Sequence, residues 1–154
     1  MTGAATTTVL QGGRHKAYRP LPLEERRAAL AAGIAAYADG DHFLAHELLE
    51  PAWMGTDNAI ERDIHQGLIK LAAAFVHATR GNPLGIAKNL RGAAERLKSA
   101  AADPEGLRAC LDQLEVDLDV AGLITGIEAR LVVLDDRPDD PVVAPVQLLR
   151  RSLP

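Results

Sequence analysis

From Leu23 onward, apolar side chains recur at steps of three and four, the spacing that lines one face of an α-helix. Leu30, Ile34, Tyr37 and Ala38 make the first such face, Glu24, Glu25, Arg26 and Arg27 fill its opening turns, and Gly40 ends it. Asp41 is placed to cap a second helix that carries Phe43, Leu44, Leu48 and Leu49 to about Trp53. Pro51 sits inside it; with no N–H and a ring that crowds the Glu47 carbonyl, it predicts a kink or an early end. A third helix, capped by Asp57 or Asn58, has Asn58 and Glu61 at capping-box spacing. It bears two apolar stripes, Ile60, Ile64, Leu68, Leu71, Phe75 and Ala78 on one side and Ile69, Ala72, Ala73 and Val76 on the other. Over 68–76 only Lys70 is polar, and a helix apolar nearly all round belongs at the centre of a fold. Gly81 ends it, Asn82 and Pro83 open a fourth helix with Leu84, Ala87, Leu90, Ala94 and Leu97 inward, and Asp103 and Pro104 open a fifth with Leu107, Leu111 and Leu114. Asp119 caps a sixth over 120–134 with Leu123, Ile127 and Leu131 inward, although 131–134 also reads as a strand.

Residues 1–20 hold Gly3, Gly12, Gly13 and a run of threonines without visible period, which predicts a mobile N-terminal arm. Beyond 134, prolines at 138, 141 and 145 exclude regular helix, so residues 135–154 are expected to form an extended or mobile Pro-rich tail. Short connections between successive helices imply antiparallel neighbours. The fold class predicted is therefore all-α: one five- or six-helix bundle over 21–134, built around the apolar helix at 58–80.

Composition agrees. Aromatics are 3% against 47% apolar residues overall, so the core must be made of Leu, Ile and Ala, and Ala is the best helix former. A net charge of −4 argues against nucleic acid, which needs a basic face. The densest basic group, Arg14, His15, Lys16 and Arg19, falls in the predicted arm and reads as solvated. Cys110 is the single cysteine, so an internal disulfide is impossible; a reducing compartment fits, and a buried structural thiol is expected. No stretch has the apolar length of a membrane span, and the first twenty residues lack the order of a secretory signal, so a cytoplasmic location and no membrane partner are expected.

Chemistry gathers on the second and third helices. His46, Glu50 and Trp53 share a helical face, with Glu47 to one side of it. Arg62, Gln66, Lys70 and His77 occupy a narrow sector of the third helix, while His65 points elsewhere. If the two polar edges face each other, Glu47 and Glu50 meet Arg62, Gln66 or Lys70, because charges taken from water must be paired or bound. Such a cluster either fixes helix register or lines a small ligand pocket. A metal centre is the competing reading. His46 and Glu50 have the i,i+4 spacing of two ligands, His77 offers a third, and Glu47 stands as candidate general base of a hydrolase. Here, however, the order is His-Glu-x-x-Glu and not His-Glu-x-x-His, and Lys70 would repel a cation. His15 and His42 are expected in solvent. Gly40-Asp41 and Gly81-Asn82 echo each other as helix openings, the punctuation of tetratricopeptide repeats, which adds a helical-repeat-like protein-interaction module to the alternatives.

At Phe43, His46, Glu47, Glu50 and Trp53 the chain resembles the domain of unknown function 309 family, whose helix has the form Phe-x-x-His-Glu-x-x-Glu-x-x-Trp. A second family block is matched by the run from Gln66 through Gly67, Leu68, Ile69, Lys70, Leu71, Ala72 and Ala73 to Ala74, then His77 and Arg80-Gly81-Asn82. The resemblance extends over 30–134 and leaves both tails aside. Pro51 stands where a helix-compatible, often acidic residue is usual, and Lys70 where a neutral amide is common. The resemblance implies a compact bacterial or archaeal all-helical bundle with these polar residues gathered inside; it implies no activity.

Overall fold

A computed structural model of the 154-residue chain describes residues 7–11, 13–136 and 145–147. Six helices follow one short hairpin: β1 (Thr7–Gln11), β2 (Arg14–Tyr18), α1 (Leu23–Ala38), α2 (His42–Met54), α3 (Ala59–Thr79), α4 (Pro83–Ala101), α5 (Pro104–Gln113) and α6 (Val120–Asp136). The all-α bundle is as expected, with α3 at its centre.

Helix starts follow local rules. Asp41, Asn58, Asn82, Asp103 and Asp119 each accept a hydrogen bond from the backbone N–H three residues on, at 2.9–3.2 Å. Gly40 and Gly81, just past the ends of α1 and α3, take φ of +84° and +64°, values that glycine reaches without a Cβ penalty. Pro51 does not end α2. The helix continues to Met54, so the proline lies in its last turn, where little helix remains to be disrupted. The segment 131–134 is helical, and α6 runs on to Asp136.

α3 packs between α2 and α4, α1 lies on α2, and α6 lies on α4. The core joins Ile64, Leu68, Leu71 and Phe75 of α3 to Leu30, Leu49, Ile86, Leu90, Leu97, Leu123 and Ile127, all 2% exposed or less. A Cβ on Gly67 would come within 2.8 Å of Leu97, so α3 and α4 approach this closely only because that residue is glycine. Cys110 is buried, as expected, and burial pushes its thiol up to about 12. His42, expected in solvent, instead packs against Tyr37 and Phe75, with ring centroids 4.9 and 5.7 Å away. His15 is exposed beside Thr8.

Two departures concern the ends. Where no regular element was expected in residues 1–20, β1 and β2 form an antiparallel hairpin pairing Thr7 with Tyr18 and Gln11 with Arg14. The two intervening residues are Gly12 and Gly13, and Gly13 has the φ of +78° that a tight hairpin turn needs. The hairpin is tied to the bundle, where Arg19 N–H donates to the Met54 carbonyl at 2.8 Å and Leu21 N–H to that of Gly55 at 3.0 Å. At the other end, 145–147 is irregular, Val146 is buried, and its carbonyl accepts from Tyr37 Oη at 2.5 Å. The rest of the predicted tail, 137–144 and 148–154, lies outside the described residues. Among the described residues, no helix is long and apolar enough to cross a membrane.

Candidate functional site

The polar residues of α2 and α3 do not form a single cluster. On α2, one donor atom each from His46, Glu47 and Glu50 lies within 4.8 Å of the other two, and His46 Nδ1 is 3.3 Å from Glu47 Oε1. This group sits at the surface: His46 and Glu50 are half-buried and Glu47 is exposed. Among the described residues no hydrogen bond or ion pair joins Glu47 or Glu50 to Arg62, Gln66 or Lys70, so the expected meeting of the two polar edges is not seen. His77 is also elsewhere. Its Nδ1 lies 3.2 Å from Asn82 Nδ2 at the α3–α4 turn, apart from the His46 group.

α3 spreads its polar side chains in three directions. Arg62 is completely buried. It donates to the carbonyls of Trp53 at 3.1 Å, Thr56 at 2.9 Å and Ala17 at 3.4 Å, and its guanidinium lies 5.2 Å from the Trp53 ring centre. Carbonyls at a helix C-terminus have no partner within the helix and carry the negative end of its dipole. Arg62 therefore caps α2 from inside the fold and fastens the hairpin to it.

Glu61, 2% exposed, turns the other way. Its backbone N–H meets the Asn58 side chain as capping-box spacing predicts, but its carboxylate leaves the box. That carboxylate accepts from Arg26 Nε at 2.7 Å and from His65 Nε2 at 3.0 Å. Burial alone would raise the Glu61 pKa; the hydrogen bonds and charges of His65 and Arg26 outweigh it and hold the carboxyl below its ordinary value. His65 is fully buried, and its Nδ1 has no hydrogen-bond partner among the described residues.

The third direction leads to the hairpin. Gln11, 8% exposed, uses both ends of its amide: Nε2 donates to Asp63 Oδ1 at 3.0 Å and to Gln66 Oε1 at 2.6 Å, and Oε1 accepts from Trp53 Nε1 at 3.0 Å. Asp63 Oδ1 also accepts from Arg96 of α4 at 3.3 Å. One hairpin side chain thus bridges α2 and α3 and, through Asp63, reaches α4. Beside it opens a cavity of about 330 Å³ lined by residues of β1 and β2 (Gln11, Arg14, Lys16), α3 (Gln66, Lys70) and α4 (Gly92, Glu95, Arg96). Burial first, then the charges of Arg96 and Lys16, hold Lys70 below the ordinary lysine value.

Of the eight residues singled out by sequence, the structure groups His46 with Glu47 and Glu50, Trp53 with Arg62, and Gln66 with Lys70, and leaves His77 apart. Gln11, Arg14, Lys16, Arg26, Glu61, Asp63, His65 and Arg96 were missed. Two signals were available. Glu61 and His65 stand at i,i+4 on a helix that is otherwise a core element, and Gly12-Gly13 between two short runs marks a hairpin.

The family model described as domain of unknown function (DUF309) matches residues 30–89, from the middle of α1 into α4. No curated protein and no solved structure matches the chain. The match spans 30–89 alone, and β1, β2, Arg26 and Arg96 lie outside the matched segment.

Proposed function

We propose that this DUF309 protein is a small-ligand-binding domain, in which the family helices supply one wall of a pocket and the hairpin, from outside the matched segment, supplies the other. The observation that carries this reading is the Gln11 amide, tied at once to Trp53, Asp63 and Gln66 at the edge of a 330 Å³ cavity. That volume falls at the small end of the range typical of ligand sites. The other buried polar groups have a structural part: Arg62 and the Arg26–Glu61–His65 set order the core around the pocket. A two-stranded hairpin is marginal by itself, so its position over the cavity depends on these side-chain ties.

Replacing Gln11 with Ala tests the reading. Three hydrogen bonds disappear and the Trp53 N–H loses its acceptor, so a loss of about 2 kcal/mol in unfolding free energy is expected. Amide exchange over 7–18 should quicken, and the emission of Trp53, the only tryptophan, should shift. Unchanged exchange and emission would show that Gln11 does not hold the wall.

A second reading is favoured by the proximity of the His46, Glu47 and Glu50 donor atoms. These three would hold a divalent cation at the surface of α2 with the remaining positions open to water, the arrangement of a hydrolytic rather than a structural ion. Glu47 is then a ligand and not the general base, and the ion would supply a water of lowered pKa as nucleophile. The expected result is about one equivalent of zinc or manganese on untagged protein, removed by chelator and lost in His46→Ala. Metal content indistinguishable from that variant's would end this reading.

A further inference from the structure

The cavity beneath the hairpin is lined almost entirely by hydrogen-bond donors. Arg14, Lys16, Lys70 and Arg96 bring four cations to it, against the single carboxylate of Glu95. Glu95 already accepts from Arg96 at 3.1 Å, and Asp63 meets the same guanidinium from behind. Gln66 has its amide oxygen taken by Gln11, so its Nε2, which has no partner among the described residues, is left to donate. Lys70 likewise has neither a hydrogen bond nor an ion pair among the described residues. Its stem lies across α4 at Gly92, where a Cβ would come within 2.9 Å of Lys70 Cδ. Glycine at 92 leaves room for a long cation to lie half-buried next to other cations.

A half-buried lysine without an ion pair among the described residues, set among the like charges of Arg96, Lys16 and Lys88, is unfavourable unless an anion accompanies it. The depressed basicity of Lys70 reflects that cost, and a bound anion would relieve it. The excess of positive charge is local, since the whole chain carries −4. Amides, ammonium groups and guanidinium groups converge here with almost no free acceptor, which suits a ligand that only accepts. With Arg96 already paired to Glu95 and Asp63, a lone carboxylate would neutralise only one of the three remaining cations, Arg14, Lys16 and Lys70. A phosphate group carries close to two charges and several acceptor oxygens, and Arg and Lys are the side chains that bind it.

We propose that the recess between β2, α3 and α4 binds a small phosphate-bearing anion, with Lys70 and Gln66 at its floor and Arg14, Lys16 and Arg96 around its rim. This rests on the reading that the hairpin walls a ligand pocket. The recess holds a small molecule or free phosphate, which offer the same chemistry.

Trp53, joined to the pocket through Gln11, reports binding. The protein is titrated with inorganic phosphate and, separately, with glycerol 3-phosphate, against sodium chloride at matched ionic strength. A saturable emission change is expected with a phosphate probe below about 10 mM and none with chloride. The tighter of the two probes tells free phosphate from an ester. Lys70→Met and Arg14→Glu should each weaken binding about tenfold or more, as loss of a charge-assisted contact implies. Arg14 is exposed on the hairpin, so its variant is expected to fold even if the Lys70 variant does not. Undiminished affinity in both variants would place the anion elsewhere and overturn the assignment. No saturable change with either probe, while Gln11→Ala still loosens the hairpin, would reject the anion and leave the pocket standing; failure of both removes the pocket as well. Tighter binding of a short single-stranded oligonucleotide than of glycerol 3-phosphate would replace the small-ligand assignment with a nucleic-acid one.

Discussion

Arg62→Met should lower the unfolding free energy by about 3–5 kcal/mol, the largest loss expected from one substitution in this protein. Methionine keeps the apolar stem, so the change isolates the guanidinium. That group satisfies the carbonyls of Trp53, Thr56 and Ala17 and lies over the Trp53 ring. A buried acceptor left without a donor costs about 1–3 kcal/mol, and the ring contact adds about 1 kcal/mol. The opposing effect is real, because burying a cation is expensive and apolar replacement of a whole buried ion pair is sometimes stabilising. Here the acceptors are backbone and remain after the cation is gone, so the loss of partners wins. In a domain of this size the melting temperature should fall by roughly 10 °C. Arg62→Lys should give an intermediate loss, since an ammonium group cannot reach all three carbonyls and stack. Urea denaturation checks this; a Met variant as stable as the parent would mean that water replaces the guanidinium.

Glu61→Gln should cost about 3 kcal/mol near neutral pH. The two carboxylate oxygens of Glu61 face donors only, Arg26 Nε and Nη2 and His65 Nε2. An amide keeps the shape but presents one NH2 group, so at least one buried donor must face another donor. The penalty also depends on pH. Because the folded carboxyl is held below its ordinary value of 4.5, its contribution is complete above pH 4.5. It declines as pH falls from there towards the folded value and is gone below it, where both states are protonated. The parent should therefore lose its advantage over Glu61→Gln on acidification below about pH 4.5. Denaturation midpoints of both proteins between pH 7 and pH 3 test this; a constant difference across the range would show that the Glu61 charge contributes nothing.

The two substitutions fall on neighbouring residues that sequence alone ranks poorly. Arg62 could be assigned to a polar stripe with Gln66, Lys70 and His77, because four-residue steps keep side chains nearly in line. The structure separates them because the surroundings of α3 change along its length: Arg62 meets the end of α2, Gln66 and Lys70 meet the hairpin and α4, and His77 meets the turn into α4. Glu61 looked like the second half of a capping box, and its backbone does serve the cap. Its side chain follows a stronger attraction, the Arg26 guanidinium 35 residues away in the chain. Gln11 shows the same limit more sharply. Its partners Asp63 and Gln66 lie 52 and 55 residues away, in a segment whose local pattern gave no reason to place it against the bundle.

What could be read directly from the chain was whatever depends on near neighbours: five side-chain caps, glycine at two helix ends, the extent of the helices, and α3 as the central one. Those features arise from hydrogen bonds and steric limits within three or four residues, and a repeating apolar face records them. The packing of the hairpin, the inward turn of Glu61, the burial of Arg62 and the donor-lined cavity were decided only once distant segments met. Polar partners need just one complementary group at the right distance, and such a pairing leaves no period in sequence.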